Sequence, residues 1–197
     1  NSRGLRALCD GLGTDEDEDS APGIHVHVGG DDLSVADVSR LLLSYSIVEK
    51  LFEPIYRRQS RNYCRPTTVD TLRWWLQKVR EYRHVHPDQQ PRPRDLVYDS
   101  PADRYSDVNL HALAKHGTIE FRAMGAWYDY DYLVRWAWLV REMVNVSKLG
   151  IAQREWTACK TLDDVIALLR KYGSELPSNQ LFADKSPERV EMLSTER

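Results

Sequence analysis

Gly23-Ile24-His25-Val26-His27-Val28-Gly29-Gly30 is the stretch from which the fold is read. Ala21-Pro22-Gly23 before it and the glycine pair at its end bracket a run in which branched apolar residues alternate with histidines, the pattern of a half-buried β-strand. Successive side chains of a strand point to opposite faces, so Ile24, Val26 and Val28 form an apolar side and His25 and His27 share the other. At about 3.3 Å per residue their Cα atoms lie roughly 6.6 Å apart, close enough for both imidazoles to serve one site.

Helical patterns follow on the C-terminal side. Ser34 with Asp37 three residues later has the form of a helix start, and Val38, Leu41, Leu42, Tyr45, Val48 and Phe52 recur at helical spacing until Pro54. A second helix is expected from Thr68, with Leu72, Trp75, Leu76, Val79 and Tyr82 inward. Three prolines between His86 and Arg94 mark a loop with Arg92 and Arg94 facing solvent. Two strand-like runs come next, Ser106 to Leu113 and Thr118 to Ala123, joined by Ala114-Lys115-His116-Gly117 as a hairpin loop. A long helix is expected from Asp131 to near Gly150, with Leu133, Trp136, Ala137, Val140, Met143 and Val144 inward. A last one is bracketed by Thr161 and Asp164 at its start and Gly173 at its end, with Val165, Ile166, Leu168 and Leu169 as its packing stripe. Leu5, Leu8 and Leu12 read as the tail of a helix ended at Gly11 or Gly13, and Asp15 to Asp19 as a solvated acidic loop. Trp75 and Trp136 fall on the apolar stripes and are read as core.

Composition bounds the functions open to such a chain. A net charge of −3 gives no general basic field for nucleic acid, so anion binding has to come from a local arginine cluster. No apolar run reaches the roughly 18 residues needed to cross a bilayer, and a cytoplasmic location without membrane partners is the expectation. Cys9, Cys64 and Cys159 lack metal-ligand spacing and are read as plain buried or half-buried thiols.

Chemistry concentrates in two short strands. In Thr118-Ile119-Glu120-Phe121-Arg122 the apolar Ile119 and Phe121 face the core, which leaves Glu120 and Arg122 together on the other side. If this strand and the histidine strand share a sheet, one face carries two imidazoles, a carboxylate and a guanidinium. Imidazole with carboxylate holds a divalent cation, and arginine presents a planar fork of donors to a phosphate or carboxylate. A cation beside an arginine is what phosphoryl transfer requires to spread charge off a nucleotide's terminal phosphate. Arg104 and Asn109 add a second anion clamp and an amide donor. The plainer reading is an exposed sheet face with a Glu120–Arg122 ion pair.

The ordered set of His25-Val26-His27-Val28, a long amphipathic helix, Arg61-Asn62-Tyr63-Cys64, Arg104-Tyr105, Asn109-Leu110 and Thr118-Ile119-Glu120-Phe121-Arg122 resembles the amidoligase family. The resemblance runs from about Leu5 to Lys148. Those enzymes belong with the glutamine synthetase-like carboxylate-amine ligases, so it implies an α+β fold: a curved antiparallel β-sheet with helices packed on one face. It divides the chain into an amidoligase-like catalytic domain over 1–150 and a C-terminal helical extension with a polar tail over 151–197. It also implies an ATP-dependent ligase that activates a carboxylate as an acyl phosphate and captures it with an amine. By similarity His25 and Glu120 ligate Mg2+ or Mn2+, and His27 lies beside the substrate or the transferred phosphate. Arg104 and Arg122 hold phosphate and acyl-phosphate charge, Asn109 makes a polar contact with the nucleotide, and Arg61 is a further nucleotide contact. Small-molecule or peptide carboxylates and amines are the implied partners.

One departure stands out. Members of that family begin with a strand bearing a Glu-x-Glu pair, and Glu16 and Glu18 have that spacing only within a loop-like acidic run. The chain opens at Asn1, so the expectation is a member lacking its N-terminal strands. Rival readings are a degenerate binding module that keeps half of the site, a metal-dependent hydrolase and a cupin-type oxygenase. A hydrolase barrel typically needs about 250 residues, more than this chain has. The cupin pattern wants a glutamate where Asp31, Asp32 and Leu33 stand.

Overall fold

A computed structural model describes residues 2–12, 23–55, 65–67, 69–97, 106–125 and 129–173. It is an α+β structure built on a three-stranded antiparallel sheet. The strands are β1 (Ile24–Gly29), β2 (Val108–Asn109) and β3 (Thr118–Met124), in the order β1-β3-β2, so the strand with Glu120 and Arg122 lies at the centre. The helices are α1 (Ser2–Leu12), α2 (Val35–Val48), α3 (Val69–Val85), α4 (Pro93–Leu96), α5 (His111–His116), α6 (Tyr130–Ser147), α7 (Gln153–Ala158) and α8 (Leu162–Lys171).

Exposure along β1 alternates as its sequence dictates. Ile24, Val26 and Val28 pack against the core while His25 and His27 stand outward. On the core side Tyr45 of α2 and Trp136 of α6 meet Phe121 with ring centroids 5.7 Å and 6.5 Å apart, and Phe52 touches both aromatic partners. Val38, Leu41, Leu42, Tyr45, Val48 and Phe52 are all fully buried, as their spacing predicts, although the last turn tightens to a 3-10 helix over Glu49–Phe52. Ser34 caps α2 through a reciprocal pair with Asp37: the Ser34 hydroxyl accepts the Asp37 N–H at 3.2 Å, and the Asp37 carboxylate accepts the Ser34 N–H at 2.7 Å. Thr161 and Asp164 repeat the device at α8, whose Val165, Leu168 and Leu169 join the same core as the sheet helices. Trp75 is buried with its indole N–H on Ser39 Oγ at 2.8 Å, which answers the one polar atom that burial would strand.

Four expectations are corrected. The run 106–113 is not one strand. Pairing with β3 is confined to Val108–Asn109, Ser106 makes only an isolated parallel bridge to Arg65, and a short helix, α5, replaces the expected hairpin loop. The reason is local. Asn109 Oδ1 accepts the His111 N–H at 2.9 Å and turns the chain, and the following His-Ala-Leu-Ala-Lys-His has no β-branched residue to hold an extended form. Gly117, at φ 65°, then ends α5 in the left-handed region and returns the chain to β3. Leu76 is 44% exposed rather than inward, since α3 turns Trp75 and Val79 to the core. The proline-rich loop contains one helical turn, α4, because Pro93 occupies its first position, where no N–H is needed. The long helix starts at Tyr130, with Asp129 rather than Asp131 serving as its cap.

Candidate functional site

Everything polar on the outward sheet face is set by β3. Glu120 is the register partner of His27 on one side and of Asn109 on the other, so three chemically competent side chains converge without any long-range loop. The β1–β3 register slips between Ile24 and Val26, and two residues of β3, Arg122 and Ala123, stand opposite His25. Such an extra residue bends the strand and re-aims its side chains, a feature common beside active sites.

Glu120 is the hub. Its Oε1 lies 2.7 Å from His25 Nδ1 and 3.8 Å from His27 Nε2, and its Oε2 accepts the Asn109 amide N–H at 2.5 Å. Its side chain is only 11% exposed, whereas those of His25 and His27 are 36% and 41% exposed, so the carboxylate sits beneath a half-open imidazole surface. Burial pushes the Glu120 pKa up. The hydrogen bonds from His25 and Asn109 and the nearby charges of His25 and Arg122 together outweigh burial, and the group is lowered from 4.5 to about 2. Glu120 is therefore an anion at every physiological pH. His27 is held at its other nitrogen: Nδ1 lies 2.9 Å from Thr118 Oγ1, and the His116 ring stands edge-on at 5.9 Å.

This arrangement can do two things. His25 Nδ1 and Glu120 Oε1 lie 2.7 Å apart, so a cation that displaces the proton between them meets both donors. His25 and Glu120 are close enough to share one cation, and their mixed nitrogen and oxygen donors suit manganese best, with magnesium relying on the oxygen. Among the described residues no group of three or more His, Cys, Asp or Glu side chains is arranged to hold a metal ion by itself. A cation bound by His25 and Glu120 would take its remaining ligands from water or a bound anion. Arg122, on the same strand face as Glu120, supplies the positive charge that an anion would meet.

Of the residues the sequence singles out, His25, His27, Asn109, Glu120 and Arg122 thus meet on one face. Asn109 is turned inward onto Glu120. Arg61, Arg104 and the Glu16–Glu18 pair lie outside the described residues. Three neighbours escaped the sequence reading. Thr118 stands two residues before Glu120, the same alternation that pairs Glu120 with Arg122, so the strand pattern itself places it on this face. His116 was hidden by the hairpin expectation. Asp107 is fully buried, and its carbonyl accepts the Arg122 N–H at 2.8 Å; nothing in its local sequence marks it.

A family model described as "Putative amidoligase enzyme" matches residues 10–144, more than half of the chain. The chain belongs to the amidoligase family. Membership points to a ligase-type enzyme, and the matched stretch contains every polar residue of the sheet face described above. No curated protein and no solved structure matches this amidoligase at a significant level. Its described residues include no helix long and apolar enough to cross a membrane.

Proposed function

We propose that this amidoligase is an ATP- and magnesium-dependent, glutamine synthetase-like carboxylate-amine ligase that makes an amide or peptide-like bond through an acyl phosphate. The observation that carries the reading is a buried Glu120 carboxylate flanked by two imidazoles and the charge of Arg122 on one open sheet face. In this reading His25 and Glu120 hold the cation, Mg2+ or Mn2+, which would shield the nucleotide's phosphate oxygens. Arg122, with Arg104 and Arg61, binds the phosphates, and Arg122 stabilises charge that grows as the phosphoryl group moves.

The substrate carboxylate oxygen attacks the terminal phosphorus and ADP leaves. The amine then attacks the acyl carbon, the phosphate leaves with the bonding pair, and the amine gives up a proton. His27, half exposed beside Glu120, borders the reacting groups. Asn109 serves by holding Glu120 in place. The substrates are small-molecule or peptide carboxylates and amines.

ATP turnover should require both a carboxylate and an amine. Arg122→Ala should depress turnover more than nucleotide binding, because its contact strengthens as charge develops. Hydrolysis of simple amides without ATP would overturn the reading. A second reading, a nucleotide-binding module without catalysis, is favoured by the single carboxylate among the described metal donors of the site. It is distinguished by binding Mg-ATP while turning over none in the presence of any carboxylate and amine pair.

A further inference from the structure

The segment His116-Gly117-Thr118 lies at the edge of the site, and all three residues bear on the placement of His27. Thr118 Oγ1 is 2.9 Å from His27 Nδ1, and the His116 ring meets the His27 ring edge-on at 84°, with centroids 5.9 Å apart. The residue between them is fixed from two sides. Gly117 accepts the Gly30 N–H on its carbonyl at 2.9 Å, and a Cβ on Gly117 would collide with the Asp31 carboxylate. Asp31 is in turn held by Arg94 from α4. At φ 65° only glycine occupies this position without strain. Pinning Gly117 fixes the backbone of its two neighbours, and both of those neighbours touch the same imidazole.

His27 needs such support. Its side chain is 41% exposed, and its Nε2 stands 3.8 Å from Glu120 Oε1, beyond hydrogen-bond reach. Among the described residues the hydroxyl of Thr118 is therefore the hydrogen-bonding contact that selects one ring orientation, with Nε2 turned toward Glu120 and the open face. We propose that Thr118 is a positioning residue for His27, and that the His116-Gly117-Thr118 turn is the clamp that holds this imidazole over the site. The functional consequence rests on the ligase reading, while the placement of the ring does not.

Thr118→Val keeps shape and strand preference and removes only the hydroxyl, whereas Thr118→Ser keeps the hydroxyl. The first readout is the χ1 coupling constants of His27, measured by NMR on the full chain. Wild type and Thr118→Ser should show one rotamer, and Thr118→Val an average of several. The second is ATP turnover with Mg2+ and a mixture of carboxylates and amines. Thr118→Val should lower kcat roughly 10–100-fold, the usual cost of losing an orienting partner, with little change in KM for ATP. Thr118→Ser should recover most of it. In a His27→Ala background Thr118→Val should have no further effect, because the pair acts as a unit. A Thr118→Val protein that keeps the wild-type rotamer, or whose loss persists undiminished without His27, overturns the proposal. Wild-type protein with the expected rotamers but no ATP turnover supports the clamp and counts against the ligase reading.

Discussion

Glu120 ties the geometry of the site to the stability of the fold. Its carboxyl is lowered from 4.5 to about 2 in the folded chain, so as pH falls the unfolded state takes up the proton first. Its contribution is complete above about pH 5 and is lost as pH drops through the interval from 4.5 to about 2. Over that interval it amounts to on the order of 3 kcal/mol at about 1.4 kcal/mol per pH unit. Glu120→Gln should therefore be less stable than wild type at pH 6 by up to that amount, and the gap should narrow steadily below about pH 4.5 and close only as the pH approaches about 2. Urea midpoints at a series of pH values would show this, and a pH-independent gap would contradict it. Glu120 and its imidazole partners were legible because strand alternation needs only the local pattern. The inward turn of Asn109 was not, since an amide at the end of a two-residue strand can bond its own backbone, a neighbouring strand or a ligand, and only the register decides.

Elements defined by caps and long stripes were readable, and short ones were not. Ser34 with Asp37 and Thr161 with Asp164 announce the starts of α2 and α8 because a reciprocal cap satisfies two stranded N–H groups with fixed spacing. Ser34→Ala should destabilise the fold by about 1 kcal/mol in chemical denaturation. No loss would mean that the cap is dispensable. The hairpin between β2 and β3 was misread because branched and apolar residues around 108–113 resemble a strand when taken alone. The competing signals, the Asn109 turn and an Ala-Leu-Ala centre, operate over fewer residues than a periodicity count can resolve. Gly117→Ala tests the same junction. It should cost roughly 1–3 kcal/mol from the left-handed backbone and the displaced Asp31, measured by thermal or urea unfolding.

At the scale of the whole molecule, one apolar core fixes a small sheet so that its other face can be polar. Trp136 is fully buried against Phe52 and Phe121, and Phe121 follows Glu120 directly in sequence, so core packing and site geometry share a strand. Trp136→Ala should remove about 3–5 kcal/mol of stability. Retention of full stability would show that β3 is not supported from that side. The strands and helices themselves followed from alternation and helical stripes, and the α+β class from the family resemblance. The sheet order β1-β3-β2 did not, because it depends on pairing between segments nearly a hundred residues apart. The central claim is that this polar face grips a cation and a nucleotide together, and calorimetric titration of Mg-ATP into the wild-type chain and Glu120→Gln tests it most directly. Cation-dependent binding that Glu120→Gln weakens roughly tenfold or more is the predicted result. Binding that is absent, or equally tight in both proteins, would contradict it.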